Sequence, residues 1–575
     1  MPTIGIGDAM PSASPQSLST QIAPTVSTAS TLSRLPPEII IAIFGQLCAH
    51  CQDPTCEHES DNPDEVRENL AALSAASKAC KWMQTLVQPM LFHRFTALSD
   101  PVHPAQLYWF IRTLTERPDL ANAVQMISLD HCRWFEPSAS DQPSHRRPEV
   151  VVVREVDTKR MMAAATRLGL GAWPLEWVSL KYCDIGSVYN PREWQVGDGC
   201  IASDTMGVSF LAWLAIRLCP SLRALNVGSF MEFFPLFPFH QAVDSRIEII
   251  RLRALDCPGW HVLGLEMQSL SVLMKLTPHL RTIQLLFARL HGPGIETGGP
   301  NDPATSPNGL DLSSLTRLDL VLCSLSRNRL RQLLRNCANL ADFTCITMNH
   351  DLTLEIRETQ NPPASRKGVA IQPHELTAIL QHDCHHLQKT LRRLTLEHLR
   401  PFGYSYDQGY SSIDRLDGAE ELYLGANGLF RERHVPYDPA IHHLSQMIPP
   451  HTRVLSIFEA RTWLKEVSET LVHLLQDMAT GRACLKKLKE IHVSFRPISA
   501  WLKYKYPLGD RDSLVEDGES WWLGEWPDGI LDREVWKAAD AAGVRLRIQR
   551  ESLPPALESL AYCRAPSSEE EREMK

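Results

Sequence analysis

One short pattern recurs irregularly from about residue 100 to residue 550: an apolar residue, two of any type, a second apolar residue, one of any type, and a third. It stands at Val124/Ile127/Leu129, Leu175/Val178/Leu180, Leu222/Leu225/Val227, Ile247/Ile250/Leu252 and Leu280/Ile283/Leu285. It continues at Leu315/Leu318/Leu320, Leu340/Phe343/Cys345, Leu391/Leu394/Leu396, Ala419/Leu422/Leu424, Thr452/Leu455/Ile457 and Leu488/Ile491/Val493. Most starts lie 25 to 36 residues apart, with gaps of 47 and 51 where insertions fall. Side chains two apart on a strand share a face, so each unit describes a short strand with one buried side. Between the strands lie stretches with helical spacing of apolar residues: Gly207–Cys219, Val262–Leu276, Leu325–Cys337, His374–Leu387 and Glu466–Met478. No single strand-plus-helix unit of this size can bury its own apolar face. Stacking the units does. The pattern therefore predicts an α/β fold, with short parallel strands on the concave side of an open stack and helices outside.

Two details refine this. Cys132, Cys183, Cys323 and Asn427 stand three residues after the last apolar position of their units, and Cys219 and Cys337 precede the first Leu of theirs by three. In these features residues 100–550 resemble leucine-rich repeats, in which Asn or Cys at that turn satisfies backbone groups. The resemblance implies an irregular leucine-rich-repeat α/β solenoid. Unit length varies, and several units carry Ala, Leu or Met where Asn or Cys is expected. A generic α/β domain with parallel strands gives similar local patterns, and that alternative stays open.

Residues 32–96 read differently. Arg34-Leu35-Pro36-Pro37-Glu38 leads into Ile39, Ile40, Ile43, Phe44 and Leu47 at one-face helical spacing. Pro37 suits the first helical position and Glu38 the positive end of the helix dipole. Asn62, Pro63, Asp64 and Glu65 announce a second helix, carried on by Val66, Leu70, Leu73 and Ser77. A third piece holds Trp82, Met83, Leu86 and Val87 and is expected to end at Pro89, ahead of Met90-Leu91-Phe92. This all-helical segment resembles an F-box. The resemblance implies a substrate receptor of a cullin-RING ubiquitin ligase, which binds a Skp-type adaptor, and through it a cullin, and holds a protein substrate on the repeats. It assigns adaptor binding or positioning to Leu35, Pro36, Glu38, Ile39 and Ile43 on the first segment. Leu73, Ser77, Cys80 and Trp82 match on the second, and none of the nine is catalytic. Three short helices make a thin core, so a partner surface is expected to complete it. An ordinary helical hairpin packed on the rest of the chain, and an interaction scaffold of the same fold acting outside a ligase, remain as alternatives.

Cys48-Ala49-His50-Cys51 and Cys56-Glu57-His58 place three thiols and two imidazoles within eleven residues. Four such ligands can close a tetrahedral zinc site, drawn from Cys48, Cys51, Cys56 and His58 or His50. A polar loop without metal gives the same sequence. His382-Asp383-Cys384-His385-His386 continues an amphipathic helix and reads as structural or solvated. Trp521-Trp522-Leu523-Gly524-Glu525-Trp526 either caps the last repeat or forms a recognition surface. The chain shows no Gly-rich phosphate loop, hydrolase elbow or kinase signature, which argues against an enzyme.

With 58 basic against 67 acidic residues and no long basic run, nucleic acid and anionic membranes are poor partners. The fifteen cysteines are scattered and no charged-then-apolar leader opens the chain, which implies a reducing intracellular location, cytoplasm or nucleus. The most apolar stretch, Phe210–Leu218, is too short to span a bilayer and is broken by Arg217. Residues 1–31 and 566–575 read as a disordered leader and a charged tail, and 135–149, 291–309, 359–370 and 400–414 as loops.

Overall fold

A computed structural model describes residues 35–52, 63–96, 104–129, 155–169, 211–227, 246–253, 264–266, 277–286, 289–291, 312–321, 323, 325, 327–348, 371–399, 409–430, 444–458, 464–494, 531 and 533–549. The leader, the tail, Cys56, His58, Cys132, Cys183, the 175–180 unit, the 521–526 tryptophans and most of the expected loops lie outside them.

Twelve parallel strands form one open sheet in the order β1-β2-β3-β4-β6-β8-β9-β10-β11-β12-β13-β14. They are β1 (Arg94–Thr96), β2 (Met126–Leu129), β3 (Ala224–Val227), β4 (Ile249–Arg253), β6 (Thr282–Leu286) and β8 (Arg317–Val321). The second half consists of β9 (Asp342–Met348), β10 (Arg393–Leu399), β11 (Glu421–Gly425), β12 (Val454–Phe458), β13 (Glu490–Ser494) and β14 (Arg545–Gln549). Two further strands, β5 (Gly264–Glu266) and β7 (Arg289–His291), pair with each other alone. The fold is α/β, and each strand of the large sheet pairs only with its neighbours along the chain.

Ten of the eleven apolar units fall on consecutive strands, β2, β3, β4, β6 and β8 to β13, and the register aligns them. Ile127 pairs with Leu225, Leu225 with Ile250, Ile250 with Ile283 and Ile283 with Leu318. Phe343, Leu394, Leu422, Leu455 and Ile491 continue this column, and a second runs from Leu129 through Leu285 and Cys345 to Val493. Every residue in both columns is at most 3 % exposed. Each buried Leu or Ile is worth about 1.5–3 kcal/mol against solvent exposure, so the columns are the spine of the core.

The helices cover the apolar side. Leu330, Leu333 and Leu334 of the helix Arg327–Arg335, and Val467, Leu471, Leu474 and Leu475 of Leu464–Ala479, are all buried at three- and four-residue spacing. Among the described residues no helix is long and apolar enough to cross a membrane.

Three local expectations are corrected. Residues 264–266 of the expected helix Val262–Leu276 are strand, because Leu265 finds a ladder partner in Leu290. The helix expected to stop at Pro89 runs on to Phe92. The missing proline N–H removes one intrahelical bond, and the helix continues until His93 N–H closes its end on Met90 O at 3.3 Å. The His374–Leu387 helix widens into a π-turn at Ile379–Asp383 before a short helix, Leu387–Thr390.

Gly543 ends the helix Arg533–Ala542 with φ of 68°, and Val544 N–H reaches back to Ala539 O at 3.0 Å. This is the left-handed helix stop that turns the chain into β14. No neighbouring atom lies within 4 Å of a Cβ built there, so backbone strain alone sets the cost of a substitution. Gly543→Ala is expected to lower unfolding free energy by about 1–2 kcal/mol, read from the urea midpoint.

Candidate functional site

The N-terminal module consists of α1 (Pro37–Gly45), α2 (Ala49–Gln52), α3 (Pro63–Ala79) and α4 (Lys81–Phe92). Its core joins Ile40, Cys48, Leu73, Met83, Val87 and Met90, with Phe44, Leu47, Trp82 and Leu86 against it. The apolar stripe of α1 is wider than this core can cover. Ile40 is fully buried, whereas Ile39, Ile41 and Ile43 are 47 %, 43 % and 50 % exposed, and Leu35 just before the helix is 36 % exposed. Ile39 and Ile43, four residues apart, share one helix face. Pro36 and Glu38 are exposed beside them. Ile41 was absent from the sequence-derived set because it falls off the stripe, yet it is as exposed as its neighbours.

The second set of expected residues sits differently. Leu73 is inside the module core, and Ser77 is 8 % exposed with its hydroxyl donating to Ser74 O at 2.8 Å. Cys80 is exposed at the α3–α4 corner, where its carbonyl accepts from Gln84 N–H at 2.9 Å, and Trp82 is half-buried. Leu73 and Ser77 thus pack inside the module, and its large exposed apolar residues among those described are Leu35, Ile39, Ile41 and Ile43.

A Cys/His cluster lies where α2 meets the end of α4. α1 ends at Gly45, and Cys48 caps α2 by accepting from Cys51 N–H at 2.9 Å. Their three-residue separation puts both thiols on one side of the turn. His93, which follows α4, brings Nδ1 to 3.6 Å from Cys48 Sγ and 3.4 Å from Cys51 Sγ. The His50 ring meets that of His93 edge-on, centroids 5.0 Å apart. One ligand atom from each of Cys48, His50, Cys51 and His93 lies within 4.8 Å of every other. This set can hold a metal ion. The hydrogen bond from Cys51, aided by His93 and opposed by burial, pulls the Cys48 thiol below its ordinary range. The same shared proton pushes Cys51 up. Cys48, Cys51 and His50 were legible as ligands; His93 was not, because 42 residues separate it from Cys51 and only the α4 turn brings it back.

The middle residue of each unit on the sheet faces away from the core and carries a polar group, beside an apolar patch of Met126, Ala224 and Ile249 on the first three of these strands. In the first half Asn226, Arg251, Gln284 and Asp319 occupy paired register positions on β3, β4, β6 and β8, all at most 8 % exposed. In the second half ion pairs reach solvent: Arg393 bridges Asp342 (3.3 Å) and Glu421 (3.0 Å), and Arg453 adds to Glu421 (3.4 Å). Arg545 reaches Glu490 at 3.2 Å.

Other sequence candidates resolve into scaffolding. Cys323 is buried with its thiol donating to Leu285 O at 3.3 Å, and Asn427 donates to Glu397 Oε1 at 3.4 Å. Asp383 pairs with Arg331 at 2.7 Å, His386 bonds Leu334 O at 3.1 Å, and burial pushes the Cys384 thiol up to about 12. That segment clamps two helices together and offers no activated nucleophile. No known protein family matches this chain, and a search of curated proteins returns no match.

Proposed function

We propose that this chain is a substrate receptor of the F-box type, with residues 32–96 binding a Skp-type adaptor and a leucine-rich-repeat solenoid presenting a protein substrate to a cullin-RING ubiquitin ligase. The observation that carries this reading is the exposed apolar surface of Leu35, Ile39 and Ile43, with Ile41 exposed off that stripe. A small helical module that leaves three isoleucines of one nine-residue helix in water is built to be completed by a partner. Leu35, Ile39 and Ile43 are among the positions that the F-box resemblance assigns to the adaptor; Ile41 is not. The alternating ion pairs of β9 to β14 supply a polar rim on which a substrate with complementary charge is read.

The test is association of the purified full-length chain with a Skp-type adaptor. A 1:1 complex is expected at micromolar concentration, and addition of the cullin is expected to give a ternary complex. A chain that stays monomeric beside the adaptor at about 100 μM, where even a weak interface of −5 to −6 kcal/mol shows, removes the ligase reading.

A further inference from the structure

The structure assigns a zinc site to Cys48, His50, Cys51 and His93, and we infer that it fastens the N-terminal module to the first strand of the sheet. Geometry carries this. Around tetrahedral zinc, with bonds of about 2.3 Å to sulfur and 2.0–2.1 Å to nitrogen, a sulfur and a nitrogen ligand stand about 3.5 Å apart. Nδ1 of His93 stands 3.4 and 3.6 Å from the two sulfurs. His50 supplies the fourth corner, with its ligand atom inside the 4.8 Å cluster.

The donor set fits the ion chemically. Thiolate and imidazole suit zinc, and four protein ligands close the site as structural centres require. On binding, each cysteine loses its thiol proton to water, and the imidazoles ligate in neutral form. Two thiolates then balance Zn²⁺, so the half-buried centre carries no net charge into the protein.

What the site would do follows from where its ligands are. Cys48, His50 and Cys51 lie in and before α2, at the end of the helix that carries the exposed isoleucines. His93 opens the sheet: its carbonyl accepts from Gln125 N–H at 2.8 Å and Met126 N–H at 2.9 Å, ahead of the pairing of β1 with β2. One ion therefore ties the end of α1 to the start of the parallel ladder. It fixes the direction in which the apolar face of α1 points relative to the repeats. The site stands whether or not the partner of that face is a ligase adaptor.

The full-length chain, purified with reductant and without chelator, is expected to contain one zinc per chain by elemental analysis. Cys51→Ser and His93→Gln are each expected to lose it. Cys56→Ser and Cys80→Ser are expected to keep it. Zinc well below one per chain overturns the proposal. So does zinc retained in His93→Gln but lost in Cys56→Ser, which would move the site into the following loop. Should the ligand variants fail to fold, chelator-stripped wild-type chain titrated with cobalt(II) decides. Tetrahedral d–d bands with thiolate charge transfer of two-sulfur intensity are expected, and their absence, or a one-sulfur intensity, overturns the assignment. Hydrogen exchange gives the structural readout: stripping the metal is expected to accelerate exchange in residues 37–52 and at the Gln125 and Met126 amides together. Acceleration confined to residues 37–52 would sink the fastening role.

Discussion

A chain carrying Ile39→Asp and Ile43→Asp is expected to lose adaptor binding while its unfolding transition stays in place. Both side chains are about half exposed on one face of α1, so carboxylates there meet water in the free chain and cost the fold little. In a complex the same carboxylates would have to be desolvated against an apolar partner with no counter-charge. Loss of two central anchors of an interface costs at least about 3 kcal/mol, or more than 100-fold in affinity. Ile40→Asp supplies the contrast, since Ile40 is fully buried among Leu73, Met83 and Val87. That variant is expected to melt the module itself and to be visible by circular dichroism. Binding by the Ile39/Ile43 double variant at wild-type strength would show that this face is not where the adaptor docks.

The repeated apolar triplets were legible because burial acts on them directly: each places two side chains of one strand on the core side, and stacking repeats the demand. Two strands escaped that reading for physical reasons. β14 pairs Leu546 with Ile491 and Ile548 with Val493, but the first position of its triplet is Gly543, needed for a positive φ at the helix stop. β1 begins the sheet inside the segment read as purely helical, with Phe95 opposite Ile127 and stacked on Phe110 at 4.1 Å. In the candidate site, local spacing exposed Cys48, His50 and Cys51, while His93 depends on tertiary closure. The division of α1 into a buried Ile40 and exposed Ile39, Ile41 and Ile43 was equally hidden, because hydropathy does not say how much core a small module has to offer.

The unspecified middle residue of each triplet was the largest omission, and it leads to the second large effect. Between paired apolar columns that residue faces the other side of the sheet, where Arg251 is 8 % exposed on β4. Its Nε donates to Gln284 Oε1 at 2.6 Å and its Nη1 donates to Asn226 Oδ1 at 3.1 Å. Gln284 Nε2 in turn donates to Asp319 Oδ2 at 2.8 Å, and Arg317 Nε donates to the same oxygen at 2.9 Å. The guanidinium and the carboxylate are thus linked through one amide, which orients both across three strands. Arg251→Ala takes one hydrogen bond from each of two buried amide oxygens while Asp319 keeps Arg317 as its counter-charge, so a destabilisation of about 2–4 kcal/mol is expected. Arg251→Lys keeps the charge but not the planar fork, and is expected to fall between alanine and wild type. Urea unfolding of the three chains measures the order, and a double-mutant cycle of Arg251→Ala with Gln284→Ala isolates the shared term. Additive effects in that cycle, or an unchanged midpoint for Arg251→Ala, would mean that solvent rather than the ladder satisfies these groups.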